Sequence, residues 1–71
     1  MKLTDTEWAI MNALWAGSPA SVRDVLERVA AEHDWAYTTV KTMLERLLEK
    51  GVVRVEKRGN TSYFAPRISR A

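Results

Sequence analysis

The run from Ala36 to Gly51, AYTTVKTMLERLLEKG, constrains this chain more than any other stretch. Val40, Met43, Leu44, Leu47 and Leu48 recur at the i, i+3, i+4, i+7, i+8 spacing that lines up apolar side chains on one face of an α-helix. Thr38, Thr39, Lys41, Thr42, Glu45 and Arg46 fall on the other face. That face offers short hydroxyls and two cations against a single acid. Hydroxyls, Lys and Arg are the groups that bond phosphate oxygens and base edges. Gly51 stops the helix, and a short basic stretch with a period near two follows it. A helix of this kind ahead of a basic hairpin predicts a winged helix-turn-helix that reads DNA.

The upstream sequence supplies two more helices. Thr4 and Glu7 form T-x-x-E, a capping box, with Leu3 and Trp8 at the positions of a hydrophobic staple. Trp8, Met11, Leu14 and Trp15 then share a face, with Ile10 beside it. Gly17 is a natural residue to follow the helix, and Ser18-Pro19 ends it. Ser21 and Asp24 give a second box-like cap, and Val22, Val25, Leu26, Val29 and Ala30 repeat the helical spacing. Pro19-Ala20 can pair as a minimal strand. His33, Asp34 and Trp35 leave a turn-like interval before the third helix, which is helix-turn-helix spacing. After Gly51, Val53 and Val55 alternate with Arg54 and Glu56. Arg58-Gly59-Asn60 is a turn in which Gly59 or Asn60 takes positive φ, Thr61–Ala65 is the return strand, and Pro66 ends it. The expected fold is mainly α with a small β-hairpin: three helices and a two- or three-stranded antiparallel sheet. Residues 1–66 form this domain, and residues 67–71 are an exit segment.

Composition narrows the function classes. A chain of 71 residues makes one domain. At this size only about 60% of the unfolded chain's surface is buried, so the core must be well packed. A hydrophobic content of 46% with three tryptophans suffices for such a core. There is no cysteine, hence no disulfide or thiolate metal site, which suits the cytoplasm. No run approaches the roughly 18 to 20 apolar residues of a membrane span, and the first residues lack the apolar stretch of a signal peptide. The net charge of +2 is unevenly spread. Residues 1–53 hold six basic and eight acidic residues. Residues 54–71 hold Arg54, Lys57, Arg58, Arg67 and Arg70 against Glu56 alone. One end of the molecule is therefore basic, as a phosphate-facing element or a solvated tail would be.

The residues that can carry DNA recognition cluster accordingly. Thr38, Thr39, Lys41 and Thr42 lie on the N-terminal half of the third helix, the half that reaches base edges when a helix enters the major groove. Arg46 is one turn beyond Thr42. The plainer alternative is a solvated face with Lys41 and Glu45 as an i, i+4 pair. Lys57, Arg58, Asn60 and Thr61 crowd the tip of the hairpin, where they either meet the DNA backbone or protect a strand edge. Ser21 and Arg23 at the start of the second helix are further phosphate contacts, or simply a cap and its neighbour. Trp8, Trp15 and Phe64 sit at core spacings, and Trp35 and Tyr37 flank the turn. His33 has no second ligand. No nucleophile–base set, phosphate loop or cofactor fingerprint occurs, so neither an enzyme nor a cofactor or metal is expected.

The segments LTDTEWAIMNALW, AYTTVKTMLERLLEKGVV and RGNTSYFAP resemble the N-terminal domain of the penicillinase repressor family, which includes the BlaI/MecI antibiotic-resistance repressors and the CopY copper-responsive repressors. The resemblance covers roughly residues 3–66. It implies a bacterial winged-helix repressor that binds a double-stranded palindromic operator as a homodimer, with the third helix in the major groove and the wing on the backbone. On matching positions it points to Thr38, Thr39, Lys41, Thr42 and Arg46, with Arg58 and Asn60 on the wing. Family members usually continue into a helical C-terminal dimerisation domain, and this chain stops where that domain is expected to begin. The alternative from another class is a winged-helix protein-interaction module without DNA contact. Such a module should expose an apolar patch, and the outward face of the third helix is expected to show none.

Overall fold

The computed structural model of the chain describes residues 3–69. Arg70 and Ala71, the end of the expected exit segment, lie outside the described residues. The element order is α1 (Asp5–Ala16), β1 (Ala20–Ser21), α2 (Val22–Val29), α3 (Tyr37–Glu49), β2 (Val53–Arg58) and β3 (Thr61–Pro66). The strands form one antiparallel sheet in the order β1-β3-β2. Ala20 and Val55 flank Phe64 from its two sides, and Arg58 pairs with Thr61 at the hairpin end. This is the winged helix-turn-helix architecture, with the third strand present.

Local chemistry explains where the helices begin. The Thr4 hydroxyl accepts from the Glu7 N–H at 3.2 Å, and the Glu7 carboxylate accepts from the Thr4 N–H at 2.9 Å. Ser21 and Asp24 repeat this reciprocal pair on α2, both bonds at 3.1 Å. Each box satisfies two of the donors a helix start leaves open. α3 starts at Ala36 without a side-chain cap. It ends in a Schellman arrangement: Gly51 N–H donates to the Leu48 carbonyl at 3.0 Å and Val52 N–H to the Leu47 carbonyl at 3.2 Å. Gly51 takes φ +77° there, a conformation that costs an L side chain strain.

The core gathers one stripe from each helix and the inner face of the sheet. Ile10, Met11 and Leu14 of α1, Val25 of α2, and Val40, Leu44 and Leu47 of α3 are fully buried, joined by Val52, Val53 and Phe64. Several expectations shift here. Trp8 is 43% exposed and is not part of the core. Its ring leans on Trp15 with centroids 5.5 Å apart, at the rim of the helix face. The true buried stripe of α1 is Glu7, Ile10, Met11 and Leu14, one residue out of step with the tryptophan-led stripe. The charge on Glu7 concealed it.

The end of α1 also differs. Gly17 has an extended backbone, φ −174°, and not the left-handed turn of a glycine cap. Arg28 of α2 closes this helix end instead, donating from Nη1 to the carbonyls of Ala13 and Gly17. A cation there also complements the negative end of the helix dipole. A Cβ at Gly17 would lie 3.1 Å from Arg28 Nη2, so the glycine makes room for that guanidinium. α2 stops at Val29, and Ala30 is exposed. The Val29 carbonyl accepts from both Glu32 and His33 N–H, which turns the chain early. The interval before α3 is therefore residues 30–36, longer than the sequence suggested. At the wing only Gly59 takes positive φ, +60°, and Asn60 does not. That is the position where a type II′ hairpin needs glycine. Leu48, expected on the apolar stripe of α3, is exposed at the edge of that stripe, and Tyr37 and Val55 are exposed as well.

Candidate nucleic-acid interface

α3 turns about 100° per residue, so burial of Val40, Leu44 and Leu47 fixes what faces outward. Thr38, Thr42, Glu45, Arg46 and Glu49 form the exposed ridge. Thr39 lies on one flank, half-buried beside the half-buried Met43. Lys41 lies on the other flank and faces a groove between α3, the start of α2 and the wing. The same groove is lined by Ser21, Arg23 and Asn60, and by Glu45 further along α3. The fold thus brings four expected residues from three separate elements to one concave surface. Thr38, Thr42 and Arg46 stand on the ridge above it.

The charge along this surface is graded. The first half of α3 carries Thr38, Lys41 and Thr42 with no acid, whereas Glu45 and Glu49 flank Arg46 in the second half. The N-terminal half is therefore the part suited to a polyanion. Its first turn has no side-chain cap, and the partial positive charge of a helix start lies at the same end. Among the described residues two ion pairs form, Lys50–Glu7 and Arg58–Glu56. Lys41 and Glu45 make none, so the pairing expected of an ordinary solvated helix face is absent among them. Arg23, Arg46, Arg54 and Lys57 likewise have no acidic partner among the described residues.

The other expected phosphate contacts are less open. The Ser21 hydroxyl is engaged by the Asp24 N–H, and the Ser21 N–H is held by the Asp24 carboxylate. The Ser21 backbone N–H first, and the Ser21 side chain after it, hold the Asp24 carboxyl below its ordinary pKa. On the wing, Arg58 donates to Glu56 at 3.3 Å and lies over the Tyr63 ring, 5.5 Å from its centroid. Lys57 is exposed on β2 next to it. His33 stacks flat on Trp35, with ring centroids 4.1 Å apart and planes 9° apart. This stack buttresses the turn that leads into α3.

Sequence reasoning missed part of the groove. Tyr37, Leu48 and Val55 line it as an exposed apolar strip, where no apolar patch was expected near α3. Thr61, Ser62 and Tyr63 of β3 complete the wall. Tyr37 is one helical turn before Lys41 and two before Glu45, and that spacing was the available signal. The strip also depends on how β2 lies against α3, which no local spacing reveals.

Three helices and a hairpin wing, with a hydroxyl-rich and acid-free helix start open to solvent, define a winged-helix domain of the nucleic-acid-binding kind. The family model for the penicillinase repressor matches residues 3–71, and the chain belongs to that family. It is 41% identical over 66 residues to the transcriptional regulator BlaI of Mycobacterium tuberculosis, an alignment that covers 92% of this chain and 48% of that protein. The solution structure of the DNA-binding domain of the repressor BlaI superposes with a TM-score of 0.86 at 28% identity, over 97% of this chain and 84% of that one. The Bacillus licheniformis BlaI monomer in complex with the blaP half-operator gives a TM-score of 0.82 at 27% identity, over 99% and 85%. The chain spans less than half the length of the curated relatives it matches, between 40% and 48%.

Proposed function

We infer that this chain is the DNA-binding part of a bacterial transcriptional repressor and that it acts in the cytoplasm without catalysis. α3 enters the major groove of a palindromic operator, and the wing follows the backbone. Thr38, Thr39, Lys41, Thr42 and Arg46 meet base edges and nearby phosphates. Arg58 and Asn60 meet the backbone, with Ser21, Arg23 and Lys57 as further phosphate contacts. The observation that carries this reading is the acid-free N-terminal half of α3, exposed and bordered by a groove that reaches the wing. Membership of a repressor family and likeness to a BlaI monomer on half-operator DNA support it. Two copies on a palindrome follow from the same reading, since each α3 reads one half-site.

The exposed strip Tyr37, Leu48 and Val55 favours a second reading, a protein-interaction surface. Fluorescence anisotropy with a palindromic duplex library and random duplex, over a salt series, separates the two. Selection of one palindrome with a steep salt slope supports the repressor. Equal, weak binding to every duplex supports the interaction module.

A further inference from the structure

The wing carries its own carboxylate. Pairing of Glu56 with Tyr63, and of Arg58 with Thr61, puts Glu56, Arg58 and Tyr63 on one face of the hairpin. There Arg58 Nη2 donates to Glu56 Oε2 at 3.3 Å, and the guanidinium lies 5.5 Å from the centre of the Tyr63 ring, within cation–π range. Both partners lie on the strand side of Arg58, so the guanidinium is drawn back along the hairpin, away from the Gly59-Asn60 tip. We propose that Glu56 sets the affinity of the wing for DNA by competing with backbone phosphate for the Arg58 guanidinium. This rests on the reading of the chain as a DNA-binding domain.

Carboxylate and phosphate present the same kind of acceptor to a guanidinium, and each can take its paired N–H groups. The Glu56 contact uses one nitrogen, and the two side chains are 57% and 61% exposed for Arg58 and Glu56. A pair held this loosely in water is weak, so phosphate can displace the carboxylate. The displaced carboxylate remains on the same hairpin face, beside a polyanion that repels it. Both effects subtract from binding. Neither carries base information, because a phosphate contact is the same on every sequence. Glu56 therefore lowers affinity for all duplexes alike, and it does so chiefly through Arg58.

The test is a double-mutant cycle of Glu56→Gln and Arg58→Ala, with anisotropy on a selected palindrome and on random duplex over a salt series. Glu56→Gln should tighten binding about two- to five-fold on both duplexes. It should steepen the salt slope by up to about one. In the Arg58→Ala background most of the gain should be lost, leaving only the small part due to direct repulsion between the carboxylate and DNA. Glu56→Thr, a better strand former, should reproduce the result with an unchanged thermal midpoint. Equal tightening in the Arg58→Ala background would mean through-space repulsion alone, and the competition would be overturned. No tightening in the presence of Arg58, with the parent protein binding its palindrome, would sink this inference and leave the DNA reading intact. A parent protein that binds no duplex would end both.

Discussion

Glu7 holds the one carboxylate among the described residues that is nearly removed from solvent, with 3% of its side chain exposed. Lys50 reaches it from the end of α3 at 2.7 Å, and the Thr4 N–H bonds the same oxygen. These contacts, the lysine first, hold the Glu7 carboxyl below its ordinary pKa despite its burial. A depressed folded-state pKa means that the unfolded chain binds the proton first as pH falls. The stabilisation is therefore fully present above the ordinary carboxylate range and is lost as pH drops through the lowered value. Glu7→Gln should cost about 1–2 kcal/mol at pH 7, a figure reduced for the solvent around Lys50. It should also flatten the acid limb of stability measured by urea denaturation. An acid limb unchanged in the variant would place the pH dependence elsewhere. Lys41→Ala belongs to the same scale: Lys41 is exposed and unpaired among the described residues, so operator affinity should fall about five- to tenfold with the thermal midpoint kept. A variant that unfolds would show that Lys41 supports the core.

The elements differ in how openly their ends are written. The boxes of α1 and α2 are plain in the sequence because each needs only two residues three apart. The finish of α3 is equally plain, since Gly51 adopts the left-handed turn its position demands. Gly51→Ala should cost about 1 kcal/mol, a fall of roughly 4–8 °C in Tm. The start of α3 is the exception. Ala36 offers no oxygen to the first turn, so Ala36→Ser should stabilise the domain by about 0.5–1 kcal/mol. Calorimetry would decide this, and no gain would mean that the first turn already finds other acceptors. The buried stripe of α1 was misread because two overlapping helical series exist, one led by Glu7 and one by Trp8. Hydropathy favours the tryptophan. Burial follows the glutamate, because its charge is matched by a lysine 43 positions away. The end of α1 was misread for a like reason, as Arg28 caps it from another helix.

At the scale of the whole molecule the proposed interface is a composite. Ser21, which ends β1 and caps α2, Arg23 of α2, Lys41 of α3 and Asn60 of the wing all line one groove. On the proposed reading, each single copy presents one α3 to one half-site. The 71-residue chain should therefore sediment as a monomer and bind a half-site weakly, with salt dependence set by its phosphate contacts. A stable dimer in the absence of DNA would show that this domain carries a self-association surface of its own, for which the strip Tyr37, Leu48 and Val55 is the exposed apolar candidate.

The sequence by itself determined the element order, two of the three helix caps, the buried faces of α2 and α3 apart from Ala30 and Leu48, the hairpin and the ridge residues Thr38, Thr42 and Arg46. All of these depend on spacings within a few residues, where backbone periodicity translates directly into position. Tertiary structure alone decided that Glu7 is buried and Trp8 is not, that Arg28 closes α1, and that Lys41 shares a groove with Ser21 and Asn60. Each of these joins groups far apart in the chain, and their placement follows from how helices and strands pack, which no local spacing encodes.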